Sequence, residues 1–172
     1  MKKLILSAFL LFCFSNIALA QKKILGAETY SIKLPSGFER TVGTNDAASV
    51  QWENEIKEVY GYVLFENIDE LTIADITTES KNYADLSLNN FNDDDTYKLI
   101  NTRKYKTKSG LETEERELSY FDKEIEIEIH FLINIFKSKH FIYKMINYGS
   151  SETFKNARTD IQYIIDHVKL PK

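Results

Sequence analysis

The residues that could do chemistry are carboxylates and one histidine in the second half of the chain. They alternate with other residues along two predicted strands, so each strand presents its share of them on one face. Carboxylates beside an imidazole can bind a divalent cation, or they can hold one carboxyl group at a raised pKa for acid–base catalysis. The candidate binding residues are Glu115, Glu117, Glu126, Glu128 and His130.

The turn between the two strands determines whether these candidates meet. A two-residue turn at Asp122-Lys123 predicts that Glu117 lies opposite Glu128. The same register places Glu115 opposite His130. All the candidates would then share one surface of the sheet.

Two interpretations of this surface stay open. A turn at Ser109-Gly110 predicts that Lys104 lies opposite Glu115, so a solvated sheet face with partly balanced charge explains the pattern. The other interpretation is a metal site or a small catalytic centre. A shift of one residue in either hairpin would scatter the cluster, because the side chains alternate between faces.

Other catalytic patterns are absent from the sequence. The chain contains no phosphate-binding glycine loop, no His-Glu-x-x-His and no Gly-x-Ser-x-Gly. The polar run from Asn92 to Asp95 lacks the spacing, the glycine and the closing glutamate of an EF-hand. The only cysteine, Cys13, lies in a predicted leader. We therefore expect no cofactor, and we assign no catalytic residue.

The first twenty residues have the pattern of a secretory signal peptide. Lys2 and Lys3 precede an apolar run from Leu4 to Ile17, and Ala18-Leu19-Ala20 matches the small-residue pattern that signal peptidase recognises. The run is shorter than the roughly 20 residues that a membrane-spanning helix needs. We expect cleavage after Ala20 and a periplasmic or secreted protein without a transmembrane anchor.

The predicted mature chain, residues 21–172, suits a single domain. Without Lys2 and Lys3 it has 20 basic and 26 acidic residues, a net charge of −6. This charge disfavours a nucleic-acid partner. The mature domain is also free of cysteine, so neither disulfides nor thiolate metal sites are expected.

The segment from Glu124 to Lys137 is the clearest structural signal. Every second residue from Ile125 to Ile135 is isoleucine or phenylalanine, which predicts a strand with one face in the core. Leu132 and Phe136 make the other face apolar near the end of the strand. We expect that this part of the sheet is covered on both sides.

The following hairpin supports this expectation. A two-residue turn at Ser138-Lys139 predicts that Ile135 faces Ile142 on one side of the sheet. On the other side, Phe136 would face Phe141. Both faces of the hairpin are then apolar.

Two helices are available to cover these faces. Helical spacing of apolar residues predicts one helix from about Asp69 to Phe91, with Asp69 or Thr72 as its N-cap. It predicts another from Ser150 to Val168, with Ser150 or Ser151 as its N-cap. A strand is predicted from Thr29 to Leu34, and it resembles the start of a meander that continues to the first helix. Four strands joined by tight turns follow that helix. The predicted fold class is α+β: a mainly antiparallel β-sheet meander with helices packed on both faces.

The order of elements resembles the superfamily of the photosystem extrinsic protein PsbP, which also contains DcrB-type bacterial lipoproteins and a eukaryotic Ran-binding branch. The similar features are the opening Tyr30-Ser31-Ile32-Lys33-Leu34-Pro35-Ser36-Gly37-Phe38, the mid-chain helix before a long meander, and a closing helix after Tyr143. The resemblance implies an α/β/α sandwich and an accessory or binding role that is mostly non-enzymatic. This chain lacks the lipidated cysteine of the lipoprotein branch.

The functional hypothesis is an exported, non-enzymatic accessory or binding protein with an unknown protein or small-molecule partner. The alternative is a small enzyme or metal-binding protein that uses the carboxylate and histidine face. Trp52 and the ten tyrosines could line a ligand surface, although β-rich cores use such residues too.

Overall fold

The computed structural model describes residues 22–26, 30–89, 91 and 96–171. Within these residues the chain forms nine strands and three helices. In chain order they are β1 (Lys22–Leu25), β2 (Ser31–Leu34), β3 (Glu39–Thr41), β4 (Val50–Asn54), β5 (Val59–Asn67), α1 (Ile68–Ile73), α2 (Ser80–Leu86), β6 (Lys98–Lys106), β7 (Glu112–Asp122), β8 (Ile127–Lys137), β9 (Phe141–Ser150) and α3 (Ser151–Asp166).

Seven strands form one antiparallel sheet in the spatial order β3-β4-β5-β9-β8-β7-β6. The predicted four-stranded meander after the helices is confirmed as β6 to β9. Pairing of β5 with β9 joins this meander to the shorter one, β3 to β5. The predicted strand around Ile32 does not belong to this sheet, because β2 pairs with β1 in a separate hairpin.

One side of the sheet, the α3 face, is covered by α3 and by the β1–β2 hairpin. Successive side chains of β8 point to opposite faces, and Leu132 and Phe136 lie on this side. They form one core with apolar residues of α3 such as Phe154 and Ile161, and with Trp52 of β4. Helix α3 therefore determines what can reach this side of the sheet.

The other side, the α2 face, is covered in part by α1 and α2. Ile133 and Ile135 of β8 pack here with Leu71 of α1 and with Tyr83 and Ala84 of α2. The two buried cores confirm the predicted α+β class, with helices on both faces of an antiparallel sheet. None of the described helices is long and apolar enough to cross a membrane.

Strand β8 begins three residues later than predicted, because residues 123–126 form a turn instead of the start of the strand. The Asp122 carboxylate closes this turn by accepting hydrogen bonds from the backbone N–H groups of Glu124 (2.9 Å) and Ile125 (3.3 Å). The predicted two-residue turn at Asp122-Lys123 was therefore wrong. Asp122 instead pairs with Ile127 across a four-residue connection.

The β8–β9 register also differs from the predicted one, because Ser138 and Phe141 close a longer turn through three hydrogen bonds. Ile135 lies opposite Lys144, and Phe136 lies opposite Tyr143. The register shift is an even number of residues, so every side chain stays on its predicted face. Both faces of this hairpin are apolar, as predicted.

The single mid-chain helix predicted from Asp69 to Phe91 is two short helices. Asn67 caps α1, in place of the predicted Asp69 or Thr72, by accepting a hydrogen bond from Asp69 N at 2.8 Å. Asp75 then adopts a left-handed backbone conformation, and the side chain of Glu79 caps α2. Competing caps divide the segment although its apolar spacing is continuous.

Candidate functional site

Glu115 lies on the α3 face of β7 and is buried, with 1% of its surface exposed. Its carboxylate accepts hydrogen bonds from Arg103 Nε (2.5 Å), the Tyr105 hydroxyl (2.8 Å) and Asn134 Nδ2 (3.1 Å). Arg158 Nη2 lies 3.4 Å away. Burial alone would raise the pKa of Glu115, but the hydrogen bonds outweigh it and hold the pKa below its ordinary value. The carboxylate is therefore an ionised structural anchor.

Helix α3 brings Arg158 over the predicted acidic face. Ser150 caps this helix by accepting a hydrogen bond from Thr153 N, as the sequence predicted. The Arg158 guanidinium lies 3.6 Å from the Glu117 carboxylate and 5.8 Å from the centre of the Phe154 ring. Arg158 therefore covers this face near Glu115 and Glu117, which a solvated sheet face, one of the two interpretations of the sequence, would have left open.

Glu128 and His130 lie on the same face, nearer to the start of α3. The Glu128 carboxylate accepts hydrogen bonds from Ser151 Oγ (2.5 Å) and Ser119 Oγ (3.1 Å). The Ser151 hydrogen bond is the main cause of a lowered pKa for Glu128. His130 Nε2 is 3.8 Å from the carboxylate, and its ring lies 5.7 Å from that of Phe154. Glu128 is therefore stabilised as an anion, which does not suit a proton donor at neutral pH.

Glu126 does not join this group. It lies in the turn before β8, is exposed and has a left-handed backbone conformation with φ of 56°. The prediction placed it on the shared surface because it extended β8 into this turn. Its side chain is the one member of the predicted cluster that the structure separates from the α3 face.

The predicted cross-strand partners were wrong. Glu115 lies opposite Asn134, and Glu117 lies opposite Leu132, because the turn at residues 123–126 shifts the pairing by four residues. This even shift keeps Glu115, Glu117, Glu128 and His130 on one face. The candidates therefore share a face without being direct partners.

The partner predicted for Glu115 on the neighbouring strand β6 was also wrong. Arg103, one residue before the predicted Lys104, lies opposite Glu115. Lys104 instead lies opposite Glu114, on the α2 face, with its Nζ 3.7 Å from Glu112. Alternation of acidic and basic residues indicated a paired surface, but a one-residue difference decided which cation reaches Glu115.

The geometry of the α3 face is that of an ion-pair network. No group of three histidine or acidic side chains among residues 22–26, 30–89, 91 and 96–171 is placed to hold a metal ion. Sequence reasoning missed Arg103 and Arg158, the two arginines that pair with Glu115. The helical spacing of α3 places Arg158 four residues after the buried Phe154, and this was the available signal.

Arg116 is a buried cation on the α2 face. Its guanidinium donates to the Asp85 carboxylate at 2.8 Å and to Glu114 at 3.4 Å. Burial acts to raise the pKa of Asp85, but hydrogen bonds from Lys81 and Arg116 lower it overall. This contact ties α2 to β7.

Aromatic rings form a continuous set of contacts elsewhere on the α2 face. The Tyr148 ring lies 5.5 Å from that of Tyr60 and 5.4 Å from that of Phe131, and Phe91 lies 5.2 Å from Phe131. Every ring of the set keeps part of its surface exposed. We call this the aromatic surface, and its members are Tyr60, Tyr62, Phe91, Tyr97, Tyr120, Phe131 and Tyr148.

Five neighbouring strands each contribute one residue to a row of directly opposite side chains that leads into the aromatic surface. Glu39 lies opposite Glu53, which lies opposite Tyr60. The row continues through Tyr148 to Phe131. Burial raises the pKa of Tyr148 to about 12, and neighbouring tyrosines and Glu53 contribute to the same direction. Two carboxylates therefore adjoin one edge of the aromatic surface.

Solved structures with a similar fold come from several branches of life. The cyanobacterial PsbP protein CyanoP from Synechocystis sp. PCC 6803 is 13% identical with a TM-score of 0.61, covering 90% of this chain and 95% of its own. LpqN, described as involved in cell envelope biogenesis of Mycobacterium tuberculosis, is 7% identical with a TM-score of 0.58, covering 91% and 94%. The Ran-binding protein Mog1p from Saccharomyces cerevisiae is 7% identical with a TM-score of 0.53, covering 89% and 96%.

No protein-family model and no curated protein sequence matches the chain. The structural likeness extends over nearly the whole length of the chain and of each of these three proteins. It agrees with the sandwich of one antiparallel sheet between helices and with the resemblance found in the sequence. The chain therefore has a PsbP-like fold.

Proposed function

We propose that the protein is an exported, non-enzymatic binding protein that holds a protein partner through the aromatic surface. The observation that supports this proposal is the chain of contacting, partly exposed rings centred on Tyr148. Tyrosine is enriched at protein interfaces because it combines a large apolar ring with a polar hydroxyl group. A set of such rings in contact offers one extended surface to a partner.

The charge beside these rings indicates the chemistry of the partner. Glu39 and Glu53 lie directly opposite each other, and like charges in this position repel. A lysine or arginine of a partner would relieve that repulsion and could also stack on the adjacent Tyr60 ring. We infer that the contacting segment of the partner is basic.

The α3 face supports a binding function over catalysis. The Glu115 carboxylate is occupied by hydrogen bonds from four neighbouring side chains, and the pKa of Glu128 is lowered. Both groups are thus stabilised as anions. General acid catalysis by a carboxyl group needs the opposite shift.

The similar structures agree with this class of function. LpqN is described as involved in cell envelope biogenesis, and Mog1p as a Ran-binding protein. A fold can host unrelated functions, so these descriptions support a binding protein without identifying its partner.

Export is proposed from the leader pattern in residues 1–20, which lie outside the described residues. Intact-mass measurement of protein purified from the envelope or the culture medium tests it. We expect a chain that begins at Gln21, and a chain that retains Met1 would refute export by this signal.

The binding proposal is tested by comparing variants with the mature protein. Partners captured from envelope extract are identified, purified and titrated against wild type, Tyr148→Ala, Glu53→Gln and Ile73→Ala. Ile73 is a matched control, since it is an apolar side chain of α1 that is 87% exposed and lies outside the aromatic surface. Tyr148→Ala should weaken binding by about tenfold or more, because aromatic anchors dominate interfaces.

Glu53→Gln should weaken binding less than Tyr148→Ala and should reduce its salt dependence. Ile73→Ala should bind as wild type does. A partner that binds Tyr148→Ala as tightly as wild type uses another surface, and that result would reject the proposal.

A further inference from the structure

A groove between β6 and α3 lies on the outer side of the Glu115 network. It has a volume of about 360 Å³, within the range of small-molecule sites. The lining residues that matter here are Arg103, Lys108, Arg158, Gln162 and Asp166. This groove is separate from the aromatic surface, which lies on the other face of the sheet.

Cations dominate the accessible part of this groove. Asp166 is its lining carboxylate, and that side chain is 7% exposed and 3.4 Å from Lys108 Nζ. The Lys108 side chain is 79% exposed. Carboxylates therefore lie below the surface of the groove, while the ammonium group reaches the solvent.

The two arginines of the groove share one carboxylate oxygen. Glu115 Oε1 is 2.5 Å from Arg103 Nε and 3.4 Å from Arg158 Nη2. Glu117, 3.6 Å from Arg158, contributes further negative charge but is not part of the lining. Two guanidinium groups held this close repel each other, and an additional anion beside them would reduce that repulsion.

Arg158 also has one guanidinium nitrogen without a hydrogen-bond partner in the described part of the chain. Its Nη1 atom is buried and has no hydrogen-bond partner among the described residues. A buried, charged donor without a partner is unfavourable, because it has lost its hydration without gaining a hydrogen bond. The Arg103 guanidinium, in contrast, already uses Nη2 to donate to Gln162 Oε1 at 3.3 Å.

We propose that this groove binds a small oxyanion, the phosphate or carboxylate group of a small molecule. Guanidinium groups suit both, because their planar N–H donors match pairs of oxygen atoms. The partly exposed guanidinium of Arg158 would donate to the oxyanion, and the exposed ammonium group of Lys108 would add positive charge on the solvent side.

The test is isothermal titration of the mature protein with sodium phosphate and, separately, with sodium citrate at constant ionic strength. Wild type should bind at least one anion saturably, and the tighter anion identifies the preferred oxyanion. Lys108→Gln and Arg158→Gln should each weaken this binding about tenfold. The matched control is Lys104→Gln, which removes a lysine from the same region but from the opposite face of β6.

Lys104→Gln should leave the affinity within about twofold of wild type, because exposed charges act weakly at a distance. Since Arg158 also pairs with buried Glu115, fluorescence of Trp52 is used to check that Arg158→Gln is folded. Lys108→Gln tests anion binding independently, because Lys108 is an exposed side chain. The proposal is overturned if neither anion binds saturably up to about 10 mM. It is equally overturned if Lys104→Gln weakens binding as much as Lys108→Gln does.

Discussion

Replacing Glu115 by glutamine should strongly destabilise the fold. The carboxylate is buried and accepts hydrogen bonds from Arg103, Tyr105 and Asn134, with Arg158 also within 3.4 Å. Glutamine has nearly the same shape but no charge. Its amide NH₂ group would face groups that also donate hydrogen bonds, so at least one of these hydrogen bonds is lost.

The expected loss of stability depends on how deeply Glu115 and its arginine partners are buried. Removing one member of a buried ion pair costs about 3–5 kcal/mol, because the remaining charge is left unpaired. Arg103 and Arg158 are both partly exposed and can be hydrated, which reduces that cost. We therefore expect Glu115→Gln to lower the free energy of unfolding by about 2–4 kcal/mol at neutral pH.

The effect should depend on pH in a defined direction. The pKa of Glu115 in the folded protein lies below the ordinary value of 4.5, so the unfolded state takes up the proton first as the pH falls. The stability from the ionised carboxylate is fully present above about pH 4.5 and is lost as the pH falls through the folded pKa. The difference between wild type and Glu115→Gln should shrink in that acidic range.

Urea unfolding followed by fluorescence measures both effects, since Trp52 is the single tryptophan and is fully buried. Glu112→Gln is the matched control, because Glu112 is an exposed residue of the same strand, 3.7 Å from Lys104. It should change stability by less than about 0.5 kcal/mol. Equal stability of the two variants, or a difference that does not change with pH, would refute the role assigned to Glu115.

Three further substitutions test the packing of the sheet and its helices. Gly61→Ala should cost about 1–3 kcal/mol and alter Trp52 fluorescence, because the added Cβ would lie 2.4 Å from the Trp52 ring. Ser150→Ala removes the N-cap of α3 and should lower the free energy of unfolding by about 1 kcal/mol, measured with urea. Asp85→Asn removes a charged partner of buried Arg116 and should cost about 1–2 kcal/mol, with faster hydrogen exchange in α2.

Each of these predictions has a result that contradicts it. Gly61→Ala with unchanged stability would mean that the indole ring moves freely in the core. An unaffected Ser150→Ala would show that α3 depends on packing without its cap. Hydrogen exchange in α2 that stays slow in Asp85→Asn would show that the contact with Arg116 does not hold this helix.

The sequence alone determined most of the strands of the main sheet and which faces of β8 are buried. Alternation along β8 placed Leu132 and Phe136 on one side and Ile133 and Ile135 on the other, and the structure confirms both. The stripe and cap of α3 were predicted in the same way. These features depend on neighbouring residues, so their signal is contained in a short window of sequence.

The alternation of residues within a strand did not predict strand register or turn length. The Asp122 side chain stabilises a four-residue turn where a two-residue turn also fitted the alternation. The resulting register shifts were even in β8 and β9, so each side chain stayed on its predicted face. The shift in β6 was one residue, so Arg103 lies in the place predicted for Lys104. Small differences in turn energy decide between such registers, and they leave no periodic signal.

Only the tertiary structure decided what the acidic face is. Arg158 is distant in sequence from Glu115 and reaches it because the apolar stripe of α3 packs on the sheet. Likewise, Tyr60 and Tyr148 become neighbours only through the pairing of β5 with β9. Contacts between distant segments depend on how whole elements pack, and a pattern within one element does not contain that information.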